Sequence, residues 1–246
     1  MLRKSIILAT IVSLFACWAE AQRSGSVLDV DGVVARMMAV RQENQARMRA
    51  YVVKRDYQLL DKAEQTKAQL IASIAYHPPD QKEYNIERSS GGIGGKVLRD
   101  ILEKEAESTQ QESRRQISPQ NYEFRLLGRE TVDGRDCYVL SLVPRRDEKD
   151  LIRGKLWVDA SDFRIHRLEG TPVKSPSWWI RDIHILMIFA RVDGMWLHTF
   201  TQAVATVRFK GTYIMQSRDL EYSSTAPKLA GRAGNTRILA GAAMNP

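Results

Sequence analysis

Gly154-Lys155-Leu156-Trp157-Val158-Asp159-Ala160-Ser161-Asp162-Phe163-Arg164-Ile165-His166-Arg167-Leu168-Glu169 is the stretch whose reading decides the fold class. Two runs rich in β-forming residues, Lys155–Val158 and Phe163–Leu168, flank Asp159-Ala160-Ser161-Asp162. The short polar side chains of that tetrapeptide bond to their own backbone and stop a strand. So short a separation lets the second strand return only antiparallel to the first. The same grammar extends in both directions. Val132-Asp133-Gly134-Arg135 carries an Asp-Gly pair that tolerates positive φ in a tight hairpin. Asp193-Gly194 separates the long apolar stretch Trp178–Val192 from Met195–Val207, and Lys210-Gly211 marks a further reversal. Tyr122 to Tyr222 therefore reads as consecutive antiparallel strands. No repeat period and no βαβ alternation occurs, which argues against a doubly wound fold.

Upstream the pattern changes period. Val30, Val33, Val34 and Met37 recur at helical spacing, which predicts a helix from Ser26 to about Arg49, with Ser26-x-x-Asp29 as a capping box. A helix with such a stripe needs a surface to cover it. Tyr51 to Leu60 is rich in β-formers. Gln69–Tyr76 places Leu70, Ala72, Ile74 and Tyr76 on one face of a strand. His77-Pro78-Pro79-Asp80 is a turn, because two prolines remove two backbone donors, and Lys82–Arg88 follows as a further strand. After the glycine cluster, Val97, Leu98, Ile101 and Leu102 supply one face of a second helix, and residues 107–120 read as an exposed connection. The end, 225–246, is small, polar and basic without a period, and reads as a disordered tail.

The first residues carry a processing signal. Arg3 and Lys4 precede the apolar run Ile6–Trp18, and Ala19-Glu20-Ala21 offers the small-x-small pattern of a signal peptidase site. Residues 1–21 are thus expected to be a cleaved secretory leader. Leu14-Phe15-Ala16-Cys17 offers a minor alternative, lipid attachment at Cys17, which would leave the protein membrane-anchored. After cleavage Cys137 is the remaining thiol, and within Cys137-Tyr138-Val139-Leu140 it reads as a small buried hydrophobe. Loss of Arg3, Lys4 and Glu20 lowers the net charge from +8 to +7 by counting. The basic residues are interleaved with acids, as in Arg129-Glu130 and Arg135-Asp136, so they read as a solvated surface and not as a nucleic-acid patch.

Motifs for chemistry do not form. Ser89-Ser90-Gly91-Gly92-Ile93-Gly94-Gly95-Lys96-Val97 lacks the first glycine and the final Ser or Thr of a phosphate loop, and reads as a flexible hinge into the second helix. His77, His166, His184 and His198 stand at no metal-ligand spacing. There is no G-x-S-x-G elbow and no H-E-x-x-H, and Asp159, Asp162 and Asp193 sit where aspartate forms turns. The expectation is a non-enzyme without cofactor or metal. What remains is apolar wall. Trp178–Phe189 becomes apolar on both faces, which reads first as a strand packed under a helix and second as one face of an apolar ligand cavity.

The strand, Asp turn and returning strand of 154–169, together with the hairpin Val192-Asp193-Gly194-Met195-Trp196-Leu197, resemble the periplasmic lipoprotein-carrier superfamily of LolA, LolB and the RseB-type N-terminal domain. The likeness covers roughly residues 27–223. His198 stands where that family usually has a proline. The resemblance implies a mainly β (α+β) fold, a curved antiparallel sheet or incomplete β-barrel wrapped around one or two helices, as a single domain over 22–224. It also implies a periplasmic location, binding of lipid or lipoprotein acyl chains, and a part in outer-membrane lipoprotein sorting. The alternative it offers is a non-catalytic sensing or interaction module of RseB-like fold with an envelope protein partner. Leu70, Ile74, Tyr76, Trp179, Ile183 and Ile185 are the expected ligand-lining residues. No integral membrane span is expected in the mature chain.

Overall fold

The computed structural model describes residues 29–79, 81–107, 115–175, 177–224 and 237–238. The leader, Cys17 and all of the 225–246 segment except Arg237–Ile238 lie outside the described residues. The elements in chain order are α1 (Val30–Arg47), β1 (Tyr51–Asp61), β2 (Thr66–His77), β3 (Gln81–Ser90), α2 (Gly92–Glu107), β4 (Tyr122–Val132), β5 (Arg135–Pro144), β6 (Ile152–Asp159), β7 (Ile165–Pro172), β8 (Ile180–Val192), β9 (Met195–Val207), β10 (Gly211–Ser223) and the short β11 (Arg237–Ile238).

All strands belong to one antiparallel sheet of order β11-β3-β2-β1-β10-β9-β8-β7-β6-β5-β4. The chain starts in the middle of this sheet, steps outward through β1, β2 and β3, and crosses with α2 to the opposite edge. From there β4 to β10 return strand by strand until β10 meets β1. The sheet is curved and does not close, so the expected incomplete barrel around helices is what forms. The reversals fall where the Asp-Gly pairs predict them: Asp133 and Gly134 have φ of 52° and 76°, and Asp193 and Gly194 have φ of 49° and 81°. Both pairs are left-handed at two successive positions, the geometry whose twist matches the flanking strands.

Asp29 is the N-cap of α1, its carboxylate accepting from the Gly32 N–H at 2.8 Å. The helix therefore starts at Val30 with Asp29 as its cap, and the expected Ser26 end of the capping box lies outside the described residues. Val33, Val34 and Met37 are buried against Tyr138, Leu140, Leu142, Leu156 and Leu168 of β5, β6 and β7, forming one core. Each such side chain contributes about 1.5–3 kcal/mol of burial. Leu98, Leu102 and Ala106 of α2 cover Val53, Tyr57, Leu70, Ala72, Ile74 and Tyr84 of β1–β3, forming a second core. The glycine cluster makes the entry to this helix, with Gly91 and Gly92 at φ of 92° and 54°. A Cβ on Gly91 would stand 2.4 Å from the Ala68 Cβ, so the absent side chain lets the start of α2 lie directly on β2.

The two helices leave the middle of the sheet uncovered. Strand β8 has no buried residue, and β9 and β10 have only Met195, Leu197 and Ser217. The reading of Trp178–Phe189 as a strand packed under a helix holds only at its far end, where Met187 and Phe189 pack against the core covered by α1. Towards its start the run is open, with Ile183 and Ile185 partly buried and Trp178 and Trp179 exposed.

Candidate functional site

Between the helix-covered halves lies a cleft of about 630 Å³. One wall is the C-terminal half of α1, with Met37, Val40 and Met48, and the opposite wall is the Tyr51 and Tyr76 end of β1 and β2. Its floor is formed by Ile165, Met187, Phe189 and Leu197 of β7, β8 and β9. Asn44 fixes the helix wall: its side chain donates to the Trp196 carbonyl at 2.9 Å and accepts from the Trp196 N–H at 2.7 Å, as a strand neighbour would. Arg49, just past the helix, donates to the Asp193 carbonyl at 2.7 Å and secures the adjacent hairpin turn. On the far wall the Tyr76 hydroxyl donates to the Pro79 carbonyl at 2.6 Å, which holds the His77-Pro78-Pro79 turn at the cleft margin.

Among the described residues the charged side chains that line the cleft are Arg41, Lys82, Arg115 and Arg164. Three of them have a carboxylate just outside the lining: Lys82 is 4.0 Å from Glu105, Arg115 3.0 Å from Asp150 and Arg164 3.6 Å from Asp162. Arg164 also lies over the Trp196 ring, 5.6 Å from its centroid, so its aliphatic stem and the indole close one corner.

Beneath the cleft runs a buried charged network on the inward face of β1 and β10. The register places Arg55 opposite Asp219, at a bulge between Lys54 and Arg55. The Arg55 Nε donates to Asp219, its Nη2 donates to Asp219 Oδ2 at 3.1 Å, and its Nη1 donates to Glu105 of α2. The Tyr57 hydroxyl donates to Glu105 Oε2 at 2.8 Å, and the Tyr222 hydroxyl donates to Asp219. Burial raises the Glu105 carboxyl, but the Arg55 guanidinium, Lys82 and the Tyr57 hydroxyl outweigh it and bring it to about 2. His198, which lines the cleft, is pushed down to about 4, first by burial and then by the Arg55 charge. It is therefore a neutral imidazole at neutral pH, with its Nε2 2.6 Å from the Thr201 hydroxyl and its ring edge-on to Phe189 at 5.6 Å.

Of the six residues singled out from the sequence, Tyr76 alone lines this cleft. Leu70 and Ile74 share its strand face but lie beneath α2 in a packed core. Ile183 and Ile185 are half-buried on β8, on the tip side of Met187, and Trp179 is exposed at the start of that strand. The structure does not bring the six together. His184 and His198, on the two sides of the Asp193 turn, are not opposite one another: His184 pairs with Val204 and His198 with Phe189. Cys137 is fully buried against Val139 and Trp157. No local pattern in the sequence joins Arg55, Glu105 and Asp219. The one signal available was Arg55 itself, a charge at the inward position between Val53 and Tyr57 of an alternating strand.

No family model matches the chain, and no curated protein matches it. Among solved structures the chain is similar to the Pseudomonas aeruginosa MucA/MucB complex, at 11% identity and a TM-score of 0.23, covering 76% of this chain and 93% of that one. It is also similar to a DUF1329 family protein from Desulfovibrio piger, at 13% identity and a TM-score of 0.41, covering 79% of this chain and 92% of that one. A LolA superfamily protein from Nitrosomonas europaea is similar at 13% identity and a TM-score of 0.42, covering 80% of this chain and 93% of that one.

Proposed function

We propose that the protein is an exported, periplasmic binding protein that shelters an acyl chain of a lipid or lipoprotein in the cleft between α1 and the β7–β9 floor, in the manner of a lipoprotein-sorting carrier. The observation that carries this reading is the lining: an apolar floor and helix wall under a rim to which, among the described residues, Arg41, Lys82, Arg115 and Arg164 contribute the charged groups. A volume of about 630 Å³ lies within the range of small-ligand sites, roughly 300–1,000 Å³. Each methylene taken from water into such a site contributes about 0.8 kcal/mol. The rim supplies guanidinium and ammonium N–H donors to an anionic head, with the Coulomb attraction reduced by the carboxylates beside Lys82, Arg115 and Arg164. No side chain in the lining needs to act as a nucleophile or proton shuttle for this task.

The test is saturable binding of a fluorescent fatty-acyl probe to protein stripped of lipid. Met187→Asp and Phe189→Asp place a carboxylate in the floor and should each weaken binding by at least about tenfold, since a charge beside hydrocarbon is strongly disfavoured. Both side chains are half-buried at the edge of the α1 core, so circular dichroism and melting curves accompany the binding data, and only a variant that stays folded at the assay temperature counts. The free acid should also bind more tightly than its methyl ester. Stripped, folded protein without saturable binding would remove the carrier reading and leave a protein-interaction module.

A further inference from the structure

The exposed large apolar side chains of the described residues include three aromatics, Trp178 (74% exposed), Trp179 (44%) and Phe209 (100%), and all three stand at one end of the sheet. The others, Ile93, Val97, Leu127 and Leu220, are aliphatic and lie on other elements. The sheet register makes the aromatic cluster. Ile180 pairs with Val207, so the segment entering β8 and the turn after β9 meet at the same tip. The Arg208 N–H donates to the Trp179 carbonyl at 2.9 Å, and the Ser175 hydroxyl donates to the Ile180 carbonyl at 2.6 Å. The tip is therefore tied to itself by one backbone bond and one serine side-chain bond. Phe209 occupies the turn with φ of 64°, a left-handed conformation that bulky side chains seldom adopt, and it is held there fully in solvent. Folding alone gives no reason for an aromatic at that position; polar residues and glycine suit it better.

The charges around these rings are Lys174, Arg181, Arg208 and Lys210, against Asp182 as the acid within the same segments. The Arg208 guanidinium lies over the Trp178 ring at 5.6 Å from its centroid. Along β8, with about 3.3 Å of rise per residue, the tip is roughly 30 Å from the Phe189 floor of the cleft, so it is a separate surface.

We propose that this tip is a docking surface for an anionic phospholipid bilayer. Tryptophan and phenylalanine partition into the headgroup region, where an apolar ring and a polar edge are both accommodated. Lysine and arginine around them face the negative surface potential of acidic lipids, which selects a bilayer over an apolar protein groove. The tip enters the interface by its aromatic side chains only; the backbone there remains hydrogen-bonded and the sheet stays outside.

Co-sedimentation with phosphatidylcholine vesicles, with and without about one third phosphatidylglycerol, tests the proposal. Binding should favour the anionic vesicles by about tenfold and weaken as salt is raised. The double variant Trp178→Ser/Phe209→Ser should lose about tenfold in partitioning, and Lys174→Glu/Lys210→Glu should lose the preference for phosphatidylglycerol. All four positions are exposed, so folding should be unaffected, with melting as the control. Brominated lipid should quench the tryptophan emission of the unsubstituted protein and quench the Trp178→Ser/Trp179→Ser variant less. Met187→Asp in the cleft should leave vesicle binding intact, which separates this surface from the acyl site. Equal vesicle binding by the tip variants and the unsubstituted protein overturns the proposal. So does a tip-dependent dimer in sedimentation velocity without vesicle binding, which would make the patch a contact between copies of the chain.

Discussion

Replacing Arg55 by methionine should destabilise the protein at neutral pH by about 3–5 kcal/mol, the cost of leaving buried charges without their partner. Arg55 is 6% exposed and the Asp219 side chain 1%, so water cannot take the place of the lost guanidinium. Asp219 would lose both N–H donors of Arg55 and keep only the Tyr222 hydroxyl; Glu105 would keep Tyr57 and the Lys82 ammonium 4.0 Å away. Total stability of a domain is commonly about 5–15 kcal/mol, so the variant should fold but melt about 6–20 °C lower. Urea unfolding followed by circular dichroism reads the loss directly. The loss should shrink below pH 5, because Glu105 no longer has the strongest influence holding it near 2 and can take up a proton in the folded state. Removing the carboxylates as well, in Arg55→Met/Glu105→Gln/Asp219→Asn, should recover most of the stability, since no uncompensated charge is left. A single variant within 1 kcal/mol of the unsubstituted protein, or a triple variant no better than the single, would refute the reasoning that the network is a closed electrostatic unit.

Four further outcomes are expected. His198 has a folded value of about 4 against an ordinary 6.5, so the unfolded chain binds the proton first and stability should fall as pH drops from 6.5 towards 4; His198→Gln should flatten that window, worth about 1–3 kcal/mol, in pH-dependent urea titrations. Burial raises the Asp159 carboxyl, but the Ser161 hydroxyl, the Ser161 N–H, Arg135 and the Asp162 N–H all donate to it and outweigh burial to hold it at about 2. Asp159→Ala should therefore cost about 2–3 kcal/mol near pH 7, and less as pH falls from 3.8 towards 2, where the native carboxylate is itself lost. Cys137 is fully buried and burial lifts its thiol to about 11, so a thiol reagent should label it only in denaturant; rapid labelling of folded protein would contradict the packing. Intact mass of the exported protein should begin at Gln22; a lipid-modified species beginning at Cys17 would replace the leader reading with an anchored one.

The sequence by itself determined what depends on neighbours along the chain. The Asp-Gly pairs required left-handed backbone and so fixed the hairpins at 133–134 and 193–194, and the Val33, Val34, Met37 stripe required a helix with one covered face. The continuous apolar run Cys137-Tyr138-Val139-Leu140 marked Cys137 as a small buried hydrophobe, and all four side chains are buried. Tertiary structure decided everything that joins distant segments. No local pattern says that β1 pairs with β10, yet that pairing sets Arg55 against Asp219 across 164 residues and creates the buried network. The apolar run Trp178–Phe189 looks the same in sequence whether a helix lies on it or not. Where the helices lie follows from which strands offer a complementary face: α1 covers β5–β7 and reaches the Met187 and Phe189 end of β8, and α2 covers β1–β3. The cleft is the space they leave, lined from α1, β1, β2, β7, β8 and β9 together, which is why strand periodicity could find Tyr76 but not the floor formed by Met187, Phe189 and His198. Periodicity reports which face of a strand is turned inward; only the packed arrangement of layers determines whether that face meets a helix or an opening.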